Sequence, residues 1–486
     1  MFRSTARPLR AIVLVLIVLL LLPSGLVSAQ ENGAGGSWES FVVSDELTIR
    51  VQDGAGTTAD EFGVAWSDVL STGLDELLLF LNLERPSQPI VVEIYGQIAD
   101  YQTGVEAIDR TELDGQIAIA DPENAVILLP YDSFRSLTPL DAENQLRHAL
   151  SHVVAGWASG FAIPRGFDEG LAQYVERPNL PVQARLAALV QAAAHDGKLS
   201  SWSNLNRPAP FTNDDLDRAQ SYAMVAFLIR HQGLPAFWAF LDELNTAGDW
   251  RAAMNVAFAP LTAQQIERQW KESIPAWASG DWRWNLMSGF DLEPARTLLA
   301  RGNFQAASQA LEISEQLLRD IDDPARAAEV ADLKDQARIG DLAETKMLEA
   351  QQALEQFVYD RAAAAVAQAE EQYRQLPSEV RPDELIETYK SMAALGMSAN
   401  GQLDIAHIQA GNWSEYAETR DAAVSAGTDL AELGDTDRRD EAKSLVDRID
   451  QEQLRIVLLL AALALLTGGW LALWLRTRQA HPLRWE

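Results

Sequence analysis

The stretch Asn144–Glu176, NQLRHALSHVVAGWASGFAIPRGFDEGLAQYVE, decides how the chain is read. Its first half sets Leu146, Leu150, Val153, Val154 and Trp157 at helical spacing, which predicts a helix over 141–158. His148 and His152 lie four apart on that helix. They are therefore about 40° apart in projection and one turn along, so both imidazoles can converge on one ion. Gly160–Gly166 breaks the chain, and a second helix is expected to begin near Asp168 and present Glu169. Two His and a Glu from a neighbouring helix make a three-ligand set with a fourth position open, the arrangement of hydrolytic zinc. Zn2+ suits imidazole with one carboxylate, whereas the harder Mg2+ and Ca2+ do not. A plainer reading makes the two His polar positions on a half-buried helix and Glu169 an ordinary acid at a helix N-terminus.

Composition narrows the chemistry around that motif. The 486 residues contain 39 Lys+Arg, 70 Asp+Glu and six His, a net charge of −31, and no cysteine. So acidic a chain repels phosphate backbones, which excludes nucleic acid as a partner. Without cysteine there are no disulfides, thiol nucleophiles, iron–sulfur clusters or cysteine zinc knuckles. A transition metal must then be held by His and carboxylates, and two of the six His fall in this one motif.

Both ends carry apolar runs. Residues 1–29 read as a signal peptide: Arg3, Arg7 and Arg10 precede Ala11–Leu22, and Val27-Ser28-Ala29 offers small residues for cleavage. Ile456–Leu475 is apolar and uncharged over 20 residues. A helix of that length spans about 30 Å, the thickness of a bilayer's hydrocarbon core. Arg476, Arg478 and Arg484 outweigh Glu486 beyond it, which predicts a cytoplasmic tail at 476–486 and an extracytoplasmic ectodomain at the cell membrane. The segment 30–455 alone carries about −36, enough to keep it soluble and away from anionic headgroups.

Between the ends the pattern is α+β, then all-α. After a Gly-rich linker at 30–37, residues 38–130 form a β/α subdomain. Phe41–Val43 and Leu47–Val51 read as a hairpin, Pro89–Tyr95 as a strand, Gly115–Ala120 as a weak one and Ala125–Leu129 as a short buried one. Ala59–Leu83 has helical spacing. Residues 131–285 are a helical subdomain broken at Pro164, Pro178 and Arg207–Asn213. Residues 291–453 are helical throughout, where Phe304, Tyr359 and Trp413 recur 55 and 54 residues apart near helix starts. That spacing predicts helical hairpins repeated as in a tetratricopeptide-type solenoid, or a stalk above the membrane.

The words RHALSHVV, PRGFDEGLAQYVE and AQSYAMVAFLIRHQG, in this order, resemble the peptidase-MA-like (gluzincin) family of zinc metallopeptidases. The resemblance covers about residues 38–285 and extends to LTAQQIERQWKESI at Leu261–Ile274. It implies a small mixed sheet whose edge strand lines a cleft for a peptide or protein, followed by a helical lobe with the metal. In the family a His-Glu-x-x-His helix precedes one reading Glu-Gly-x-Ala-x-Tyr. Carried over by position, His148, His152 and Glu169 match the metal ligands, and Tyr222 matches a later-helix oxyanion donor, with a core tyrosine as the plainer alternative. The family's general base is the Glu after the first His, and here that position is Ala149. A Glu there takes the proton of the attacking water and passes it to the leaving amine; alanine does neither.

These residues predict a membrane-anchored, gluzincin-fold protein with a zinc site, impaired in peptide hydrolysis: a pseudoenzyme. Two alternatives remain at this level. One is an active metallopeptidase using Asp168 or Glu176 as a substitute base. The other is a surface adaptor that binds through 291–453. His231 is expected in the polar C-terminal turn of its helix, with His195 and His407 on the surface.

Overall fold

The computed structural model describes residues 37–108 and 117–480, with side chains to Thr477. The expected signal peptide, the linker up to Gly36, Gly115–Gln116 and the last six residues of the tail lie outside the described residues. Contacts divide the chain into two units: one comprises 1–71 and 86–149, the other 72–85 and 150–486.

The first unit is a five-stranded mixed sheet with helices. Its strands are β1 (Trp38–Ser44), β2 (Leu47–Gln52), β3 (Ile90–Tyr95), β4 (Ile119–Asp121) and β5 (Val126–Pro130), in the order β1-β2-β3-β5-β4. Helix α1 (Ala59–Phe80) links β2 to its parallel neighbour β3, and α2 (Ile98–Ala107) precedes β4. α2 is an addition to the sequence reading: its apolar positions are few and only Tyr101 and Val105 are buried, too sparse for a clear helical period. β-branched residues alternate as a half-buried sheet requires. Leu47, Ile49 and Val51 on β2, and Ile90, Val92 and Ile94 on β3, are sealed from solvent. On the opposite face Tyr95, Leu128 and Ile119 pack with Tyr101 and Val105. A short α3 (Tyr131–Phe134) brings Phe134 against Phe62 and Trp66, and α4 (Pro139–Ser159) follows. Gln145 of α4 accepts from the Ile117 backbone N–H beside β4, at 3.1 Å.

The second unit is helical. It takes the last turns of α1 and the second half of α4, then α5 (Arg165–Tyr174), α6 (Leu180–His195), α7 (Trp202–Leu205), α8 (Asp214–Gln232), α9 (Leu234–Ala247), α10 (Trp250–Ala257) and α11 (Ala263–Ser279). Breaks fall at the three expected places, and further ones follow α6, α8, α9 and α10. α11 opens on a capping box in which Thr262 and Gln265 satisfy each other's backbone N–H. One correction concerns α5, which starts at Arg165 rather than near Asp168, because Pro164 supplies an extended residue ahead of a first helical turn.

From α12 (Glu293–Ala300) the chain forms three long helical hairpins. They are α13 (Phe304–Asp320) with α14 (Pro324–Glu355), α15 (Tyr359–Tyr373) with α16 (Asp383–Gln409), and α17 (Tyr416–Glu432) with α18 (Thr436–Ala480). Each helix from α13 onward packs on the next, and α14 also meets α16. The repeat has a physical basis. A Cβ placed on Gly340 would stand 2.2 Å from the Phe304 ring, and one on Gly396 would stand 2.3 Å from the Tyr359 ring. In both hairpins the aromatic that opens the first helix therefore lies flat over a bare glycine of the second. The third repeat needs correction: Trp413 is 70% exposed in a single 3-10 turn, and the buried aromatic opening α17 is Tyr416.

α18 runs unbroken out of the last hairpin. Ala442, Leu445 and Ile449 belong to the hairpin core, while Leu458–Leu475 is exposed throughout. Its most apolar 18 residues have a mean hydropathy of 2.4, making it long and apolar enough to cross a membrane.

Candidate metal centre

α4 carries the first two candidate ligands. Leu146, Ala149, Leu150, Val153 and Val154 are fully buried, and Arg147, His148, Ser151 and His152 are at most 4% exposed. The helix is thus enclosed on every face at this level, and the reading of a half-buried helix with wet histidines does not hold. Buried imidazoles need polar partners. His152 has one in Asp168, whose Oδ1 lies 2.9 Å from Nδ1. A carboxylate beside Nδ1 is the usual outer partner of an imidazole that coordinates through Nε2.

α5 brings the third. The Phe167 backbone N–H is shared between the Pro164 carbonyl oxygen at 3.0 Å and Asn206 Oδ1 at 3.2 Å. That contact anchors the helix where Asp168 and Glu169 project. The next residue is Gly170, and a Cβ there would stand 2.2 Å from the Ser221 carbonyl oxygen of α8. Only glycine lets the two helices approach so closely, and that approach brings α8 side chains to Glu169.

His148, His152 and Glu169 each offer an atom within 4.8 Å of the others, and all three are buried. A tetrahedral ion with ligands at about 2.1 Å holds them roughly 3.4 Å apart, inside the 4.8 Å that bounds this group. The donor set, its burial and the carboxylate behind His152 fit a zinc-type divalent ion.

A residue absent from the sequence reading completes the surroundings. Arg218 of α8 donates through Nη1 to Glu169 Oε2 and through Nε to Asp214 Oδ2, the latter at 2.9 Å. In sequence Arg218 reads as half of a surface i,i+4 pair with Asp214. Nothing local connects it with a glutamate 49 residues away; the glycine at 170 was the available signal.

The remaining predicted residues lie elsewhere. Tyr222 is 1% exposed, with its ring 6.2 Å from Tyr174 and 6.1 Å from Trp277. Burial, with the Glu176 charge second, pushes the phenol up. Glu176 is not two helical turns along from Glu169, because α5 ends at Tyr174. His231 occupies the last turn of α8, stacked on Phe227, and burial followed by the Arg230 charge lowers its pKa. The His195 side chain is 88% exposed, and His407 lies 3.0 Å from Glu441 of α18.

Compared with family models, curated proteins and solved structures, the chain matches none. The functional reading therefore stands on this geometry and on the motif.

Proposed function

We propose that this is a membrane-anchored, extracytoplasmic protein of peptidase-MA-like fold whose His148, His152 and Glu169 hold Zn2+. It binds a peptide or protein segment beside that ion without cutting it at an enzyme's rate. One observation carries the reading: a buried His/His/Glu group with ligand atoms inside 4.8 Å, on a helix whose base position is alanine.

Bound zinc supplies Lewis-acid polarisation of a peptide carbonyl and of attacking water. The chain's own residues hold and orient. Asp168 lies 2.9 Å from the His152 ring, and Asn206 and Gly170 set the position of Glu169. No side chain accepts a proton at position 149, and loss of a positioned base costs about 10²–10⁴ in rate. Of the two substitute bases, Asp168 has its Oδ1 2.9 Å from His152 Nδ1, and Glu176 lies beyond the end of α5 at Tyr174. The apolar α18 and its arginine-flanked end support a single span with the bulk of the chain outside.

Metal analysis of the full-length protein in detergent tests this. About one equivalent of zinc is expected, lost in His152→Ala; a zinc-free wild type would sink the proposal. Ala149→Glu separates metal from base. Because residue 149 is fully buried, the new carboxylate is expected to lower the thermal midpoint of chelated protein. With zinc present the variant should gain chelator-sensitive peptide hydrolysis. Bound zinc with no gain would mean that the impairment does not reside at residue 149.

A further inference from the structure

If the cluster holds a metal, Glu169 answers to two cations, the ion and Arg218. The Glu169 side chain is 2% exposed and that of Arg218 13%. Nη1 occupies Glu169 Oε2, Nε is held by Asp214, and Nη2 is buried with no hydrogen-bond partner. The Gly170–Ser221 approach sets α5 close against α8 beside this pair.

Two physical consequences follow. With Arg218 on Oε2, part of the Glu169 charge is already met before an ion binds. The guanidinium also stands a carboxylate's width from where a divalent ion would lie, and at a buried site that repulsion is screened far less than in water. Asp168 has the opposite effect at His152, since a carboxylate on the outer nitrogen makes the ring a better donor. Opposed outer partners thus act on two ligands of one cluster.

We infer that Arg218 is a resident counter-ion that restrains the affinity of the His148/His152/Glu169 group for a divalent transition cation and neutralises Glu169 when no ion is bound. Removing the charged partner of a buried carboxylate is strongly destabilising. Arg218 thus supports the fold while the site holds no ion. The inference rests on the metal reading of the cluster and adds what tunes it.

The test uses the full-length protein in detergent, with zinc alone as the probe. Affinity is read by competition with a chromophoric chelator, and thermal midpoints are taken with and without EDTA. Arg218→Gln keeps a donor for Glu169 and removes the charge. Zinc should bind this variant at least about tenfold more tightly than wild type, in the range seen when outer-shell partners are changed. Its midpoint should fall in EDTA and recover with zinc. Unchanged or weaker binding in a variant that folds would overturn the inference while leaving the metal reading intact. If neither wild type nor variant takes up zinc, both fall together.

Should Arg218→Gln fail to fold, Asp214→Asn decides the matter, since that side chain is 50% exposed. It unmasks the guanidinium and should weaken zinc by roughly threefold, the scale of a surface ion pair. Unchanged or tighter zinc there would overturn the inference.

Discussion

Ala149 and Gly170 are both small residues beside candidate ligands, and they act in different ways. Ala149 removes a proton acceptor and leaves the packing of α4 closed around it. Gly170 permits a helix contact that no side chain would allow, because the atom in the way is the Ser221 carbonyl oxygen and not a movable side chain. Gly170→Ala must therefore push α5 from α8. Overpacking of this kind costs about 1–3 kcal/mol, and here it also stretches the Arg218–Glu169 pair. The expected result is a lower thermal midpoint together with altered zinc affinity. A midpoint unchanged from wild type would mean that the helices have slack at this crossing.

Among the elements, the hairpins of the C-terminal half show how a sparse signal becomes a fold. Phe304 over Gly340 and Tyr359 over Gly396 repeat one contact, an aromatic ring laid on bare helix backbone. Around each ring the cores are rich in alanine, which lets α14 and α16 lie close to their partners. Gly340→Ala should destabilise by about 1–3 kcal/mol, since the added methyl displaces the Phe304 ring. Phe304→Leu on the same chain should recover part of that loss, so the two costs add to less than their sum. Urea unfolding followed by helix signal measures the cycle; strict additivity would mean that the ring does not rest on Gly340.

For the whole molecule, charge and anchoring set the behaviour. Residues 30–455 carry about −36, which repels anionic surfaces, and among the described residues α18 is the helix long and apolar enough to attach the chain to a membrane. That helix is packed in the last hairpin at Ala442, Leu445 and Ile449 and is continuous with the apolar run. A chain ended after Arg455 keeps those contacts and should leave the membrane fraction for the soluble one. The full chain should resist alkaline extraction. Retention of the shortened chain in membranes would reveal a second attachment.

Legibility followed the range of the forces involved. Periodicity alone marked the long helices, the strands β2, β3 and β5, the apolar C-terminal run and the i,i+4 pair of histidines, because side-chain spacing on a helix or strand is fixed by backbone geometry. Composition alone excluded thiol chemistry, since the chain has no cysteine. Contacts between segments far apart in the chain left no such trace. Asp168 at His152 crosses a loop, Arg218 at Glu169 spans 49 residues, and Tyr416 in place of Trp413 depends on which aromatic meets the neighbouring helix. Packing chooses those partners, and it acts only once the helices have been brought together.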